Sequence, residues 1–62
     1  QQALQKLALL KQPERDALEM RFIDDLSPRE IASILGVSEN VISVRIHRGL
    51  KKLRQLVQRG RP

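Results

Sequence analysis

An all-α fold is predicted for this 62-residue chain by three observations. Apolar residues recur at helical spacing, and β-branched residues nowhere alternate with polar ones over the length of a strand. Helix start and stop signals, at Pro13, Ser27-Pro28 and Gly36, divide the chain into short helical segments. Beyond Gly36, Ile42, Ile46, Leu50, Leu53 and Val57 mark one apolar stripe on a helix of about twenty residues. The expected architecture is a small four-helix domain spanning residues 1–62.

The first helix is expected from Gln2 to Lys11, with Leu4, Leu7, Ala8 and Leu10 on its apolar face. Pro13 ends it and suits the first turn of the second helix, because proline lacks an N–H that would go unbonded there. Glu14 and Asp16 lie near the positive N-terminal end of that helix, which favours them. The second helix runs to about Asp24, with Leu18 and Phe22 four apart on one side. Ala17, Met20 and Ile23 widen that apolar surface. Ser27-Pro28-Arg29-Glu30 is a capping box: the Ser27 hydroxyl accepts from the Glu30 N–H while the Glu30 carboxylate accepts from the Ser27 N–H. The third helix therefore spans Pro28 to about Leu35, with Ile31, Ile34 and Leu35 as its core side. Gly36 ends it, since a C-terminal cap in the left-handed region favours glycine. Ser38 caps the fourth helix, which frays near Gly60.

Two helices joined by a short turn containing glycine form a helix-turn-helix, here at about residues 27–48. The sizes fit a close crossing. Ala32 lies four residues before Gly36, Val37 and Ile42 plug the gap, and Ile31 and Leu35 anchor the first helix beneath. With Ile42 and Ile46 inward, helical spacing turns Ser43, Val44, His47, Arg48 and Lys51 outward, with Glu39 and Asn40 at the helix start.

Charge separates along the chain. Net charge is +5, yet residues 1–40 hold five Lys/Arg against seven Asp/Glu. Residues 41–62 hold seven Lys/Arg and no acid. That asymmetry points to a polyanion meeting the C-terminal part. In a helix-turn-helix the N-terminal part of the second helix enters the major groove. Ser43, Val44 and His47 then approach base edges, with Arg48 at the edge of that group. Arg29, Asn40, Arg45, Lys51, Lys52 and Arg54 fall to phosphates or solvent.

Residues 8–57 resemble region four of bacterial sigma factors, most like the extracytoplasmic-function group. The resemblance rests on the L-S-x-x-E-I-A-x-x-L-G-V-S block at Leu26 to Ser38 and on the R-I-H-R block at Arg45 to Arg48. Pro13, Glu14, Arg15 and Asp16 stand for the family's Pro-x-x-R element, with the arginine one place early. The resemblance implies binding of the −35 promoter element through the helix-turn-helix. It also implies docking on the β-subunit flap of RNA polymerase, and an anti-sigma factor as a further partner. Carried over residue by residue, Ser43, Val44, His47 and Arg48 hold base-facing positions and Arg45 a backbone-contacting one. Leu7, Leu10, Leu18 and Phe22 either close the core or line a groove for the flap or an anti-sigma factor.

The chain departs from that pattern in the early recognition helix. Val41 stands for a usual Thr, Ser43 for a basic residue and Val44 for Ser. Valine can pack on a thymine methyl; it can equally face a protein. Asp25 replaces a common Gly, and Gly49 a common Ala where a close helix contact is one explanation. Two other readings remain open: a LuxR-type response-regulator DNA-binding domain, which shares the S-x-x-E-I-A block, and a protein-interaction module with vestigial DNA contacts.

Enzymatic function is not expected, since no nucleophile pair, metal cluster or phosphate loop is present. A single histidine and no cysteine leave no metal site, and no cofactor is implied. No apolar run reaches the roughly 20 residues of a membrane span. A cytoplasmic bacterial location is expected. A chain that begins with Gln1 is expected to be a fragment, with a second, −10-binding domain elsewhere.

Overall fold

A computed structural model of the protein describes Leu7 and residues 9–59, Arg59 without its side chain. Three helices lie among the described residues: α1 at Gln12–Leu18, α2 at Pro28–Leu35 and α3 at Glu39–Arg59. No strand occurs among them, as the all-α reading requires. Leu7 is helical and its carbonyl accepts from the Leu10 N–H at 3.1 Å. The remainder of the expected first helix, including Leu4 and Ala8, lies outside the described residues, as does Gly60.

α1 begins as its proline dictates. Lys11 is extended, and Pro13 occupies the first turn where its missing N–H costs nothing. Its end differs from expectation. The chain widens into one π-type turn, Glu19–Ile23, closed by the Asp24 N–H on the Glu19 carbonyl at 3.1 Å. The Leu26 N–H then reaches the Met20 carbonyl at 3.0 Å, and Asp25 takes a left-handed φ of 58°. Aspartate tolerates that region better than most residues, which suits it to a position where glycine is common. Arg21 Nη1 donates to the Leu26 carbonyl at 3.3 Å, and its guanidinium sits 5.6 Å from the centroid of the Phe22 ring.

The wider turn breaks the four-residue register between Leu18 and Phe22. A π-type turn carries an extra residue per turn, so the following side chains rotate away from the α-helical face. Leu18 is 1% exposed, whereas Phe22 is 58% exposed and Ile23 is also exposed. Met20 packs inward instead.

α2 starts on the full capping box. The Ser27 N–H donates to Glu30 Oε1 at 2.8 Å and the Glu30 N–H donates to Ser27 Oγ at 3.1 Å. Gly36 ends the helix at φ 71°, ψ 33°, and the Val37 N–H returns to the Ala32 carbonyl at 3.0 Å. Ser38 Oγ then accepts from the Val41 N–H at 3.2 Å, opening α3. Ile31 and Ala32 are buried here, but Ile34 is 62% exposed and Leu35 is exposed. Ile34 sits three residues from Ile31 on the side away from Ala32, outside the narrow arc that α3 covers.

Two small clusters form the core. Leu7, Leu10 and Leu18 gather with Ile46, Leu53 and Leu56. Ile31, Ala32 and Ile42 gather with Met20, Leu26, Val37 and Ile46. Ile46 belongs to both and joins them. Full burial of Leu18, Ile31 and Ile42 contributes about 1.5–3 kcal/mol each. The expected stripe through Leu50 is corrected: Leu50 is 38% exposed and Gly49 is buried in its place. Steps of four residues overshoot a 3.6-residue turn and drift around the helix. The seam runs Ile42, Ile46, Gly49, Leu53, Leu56, and its alternating steps of four and three cancel that drift.

Candidate nucleic-acid interface

The buried seam of α3 determines what its other sides present. Asn40, Val44, His47, Lys51 and Arg54 repeat at steps of four, three, four and three, roughly opposite the seam. All five are exposed. His47, Lys51 and Arg54 line a shallow concavity with Leu50. A second row, Val41, Arg45, Arg48 and Lys52, repeats at four, three and four along one flank, which meets α1 at its Lys52 end. There Lys52 Nζ donates to Glu14 Oε1 at 2.8 Å. Ser43 borders the outward row on its other side, on the flank of Leu50.

The structure therefore brings four expected contact residues, Asn40, Val44, His47 and Lys51, into one outward row. Arg48, expected beside them, shares the flank of Arg45 and Lys52. Arg29 is exposed at the start of α2. The four residues left open between core and partner are now divided. Leu7, Leu10 and Leu18 are buried in the core cluster, whereas Phe22 lies at the surface. Spacing alone places Arg54 in the outward row. Glu14 as the partner of Lys52 had no local signal, because 38 residues separate them.

Local electrostatics stiffen the motif more than they charge it. The Glu30 carboxyl is held below its ordinary value, first by the Ser27 backbone N–H and then by the Ser27 side chain. The Glu14–Lys52 pair lies near the surface, where such pairs contribute about 0–1 kcal/mol. Its larger consequence is positional, since it draws one ammonium toward α1. Among the described residues, no three His, Asp or Glu side chains gather as a metal site requires. None of the described helices is long and apolar enough to cross a membrane.

A capped helix, a left-handed glycine turn and a long basic helix with an outward polar row are the parts of a DNA-reading helix-turn-helix. A family model described as "Sigma-70, region 4" matches residues 1–53. The chain belongs to the sigma-70 region 4 family. No curated protein and no solved structure matched it. Region 4 is a DNA-binding family, and membership implies −35 promoter binding and interaction with RNA polymerase in general. The region 4 match ends at Leu53 and so includes both helices of the motif and the outward row up to Lys51.

Proposed function

We propose that this region 4 chain reads a −35 promoter element in the major groove, as part of a bacterial sigma factor of the extracytoplasmic-function type. The observation that carries the reading is the outward row of α3. It presents Asn40, Val44, His47, Lys51 and Arg54 opposite the buried seam, on a helix that has no acid after Glu39. Val44 and His47, bordered by Ser43, lie in the N-terminal half of α3, the part that reaches base edges in this motif. Arg48 stands at the edge of that group. Arg29, Asn40, Arg45, Lys51 and Lys52 anchor the helix through phosphates, which fix register without reading sequence. The exposed Phe22, beside the π-type turn, is the residue we assign to docking on the polymerase β flap or to an anti-sigma factor. Such a domain works in the cytoplasm, alongside a second domain that reads the −10 element.

Selection of the 62-residue chain on a randomised duplex library at fixed low salt, followed by sequencing of the bound fraction, tests this reading. Enrichment of one short −35-like motif is expected. Salt-dependent binding with no enriched motif would reduce α3 to a basic surface and overturn the proposal.

A further inference from the structure

We infer that Val44, and not Val41, is a specificity determinant that selects a thymine through its C5 methyl group. The inference rests on the promoter-reading function proposed above and names what one residue reads there. Both valines are more than a third exposed, at 37% for Val41 and 39% for Val44. Their surroundings separate them. Val44 lies in the middle of the outward row, one turn from Asn40 and one from His47, and is the single apolar side chain in it. Val41 lies on the flank, in the row of Arg45, Arg48 and Lys52, which meets α1 at Lys52.

Charge decides what covers Val44. Arg48, Lys51 and Arg54 surround or follow it on α3, and no acid occurs beyond Glu39. An apolar protein surface docking here would strand those cations away from water. A duplex meets them with phosphates and offers an apolar group in the same groove, the thymine methyl. Valine has no donor or acceptor to spend on a base edge, so methyl contact is the discrimination its side chain can make. His47, one turn further on, supplies the polar contact beside it.

The test uses the 62-residue chain and the duplex motif that library selection yields. Each thymine in turn is replaced by deoxyuridine, which lacks only the methyl, and affinity is read by fluorescence anisotropy. At one position the replacement is expected to weaken binding about fourfold, the factor for losing burial of one methyl-sized group. Val44→Ala should abolish that difference, while Val41→Ala should retain it. Both valines are exposed, and matching circular dichroism of the variants confirms that they fold. A motif without thymine on either strand, or one indifferent to every deoxyuridine, overturns the role of Val44 and leaves promoter reading standing. A penalty that vanishes in Val41→Ala instead assigns the contact to Val41 and overturns the inference. Absence of any enriched motif removes both the promoter reading and the methyl contact.

Discussion

Gly49 offers the sharpest check on how α3 is seated. A Cβ built there would lie 2.9 Å from Leu18 Cδ1, 3.1 Å from Leu18 Cγ and 3.4 Å from Glu14 Cβ. The far end of a leucine can move when it has room, but Leu18 is 1% exposed and packed in the core. Gly49→Ala therefore sets two effects against each other. Replacing a mid-helix glycine by alanine gains about 1 kcal/mol of helix propensity. Forcing a methyl into a filled core costs about 1–3 kcal/mol. The net result should lie between no gain and a loss of about 2 kcal/mol. Leu18→Val removes both Cδ atoms and the tightest contact, at a cost of about 1 kcal/mol. In that background Gly49→Ala should recover part of its gain of about 1 kcal/mol, because valine keeps a Cγ near the added methyl. Urea unfolding of the four proteins, followed by circular dichroism, gives the coupling directly, and it should be on the order of 1 kcal/mol. An equal gain of about 1 kcal/mol from Gly49→Ala in both backgrounds would mean α1 does not approach α3 this closely.

Three further outcomes are expected. Lys51→Ala should reduce the log–log salt slope of DNA binding by about 0.9, whereas Lys52→Ala should reduce it less, because Glu14 holds that ammonium; Glu14→Gln should then steepen the wild-type slope. Titration of binding against salt for the three variants tests the order, and a larger loss at Lys52 than at Lys51 would reject it. Glu30 has a depressed folded value, so its stabilisation is present above its ordinary value of 4.5 and is lost as pH falls through the folded value. The stability advantage of wild type over Glu30→Gln, measured by thermal melts, should shrink below pH 4.5, and a constant difference would dismiss the capping carboxylate. Phe22→Ala should leave DNA affinity unchanged and weaken capture of the polymerase β flap in a pull-down, since Phe22 is exposed on the turn after α1 and outside the outward row of α3. Loss of DNA affinity with flap binding intact would reverse that assignment.

What the sequence shows well in this chain is whatever is settled within three or four residues. The capping box joins Ser27 to Glu30, the glycine cap joins Gly36 to Ala32, and the Ser38 cap joins it to Val41. Each depends on side-chain types at fixed spacing, so the helix-turn-helix and the start of α3 follow directly. The π-type turn left no such mark. Its residues, Glu19 to Ile23, keep helical periodicity, and the extra residue shows only in the structure, in the Asp24–Glu19 backbone bond, the packing of Met20 and the exposure of Phe22. Leu50 departs from the expected stripe for a related reason. Hydropathy favours the leucine, but the seam follows where α1 comes closest, and that depends on Leu18 and Glu14 more than thirty residues away. The same distance hid the pairing of Glu14 with Lys52. The split of Leu7, Leu10 and Leu18 from Phe22 also needed tertiary contacts, because all four are equally apolar in the sequence.

Val41 and Val44 show how that correction reaches function. Along the chain they are two like residues near the start of one helix, and a single question covers both. A seam through Leu50 would tilt the outward side of α3 by most of the angle between adjacent residues over its length, and the two valines would be hard to tell apart. A seam through Gly49 keeps one line from Ile42 to Leu56. Against that line Val44 stands opposite the core and Val41 stands on the flank, in line with Arg45 and Arg48. The close passage of Gly49 against Leu18 therefore sets which valine lies on the side of α3 proposed to read DNA. It follows that a substitution at Gly49 large enough to rotate α3 should alter which base is preferred opposite Val44, although Gly49 itself lies on the other side of the helix from Val44.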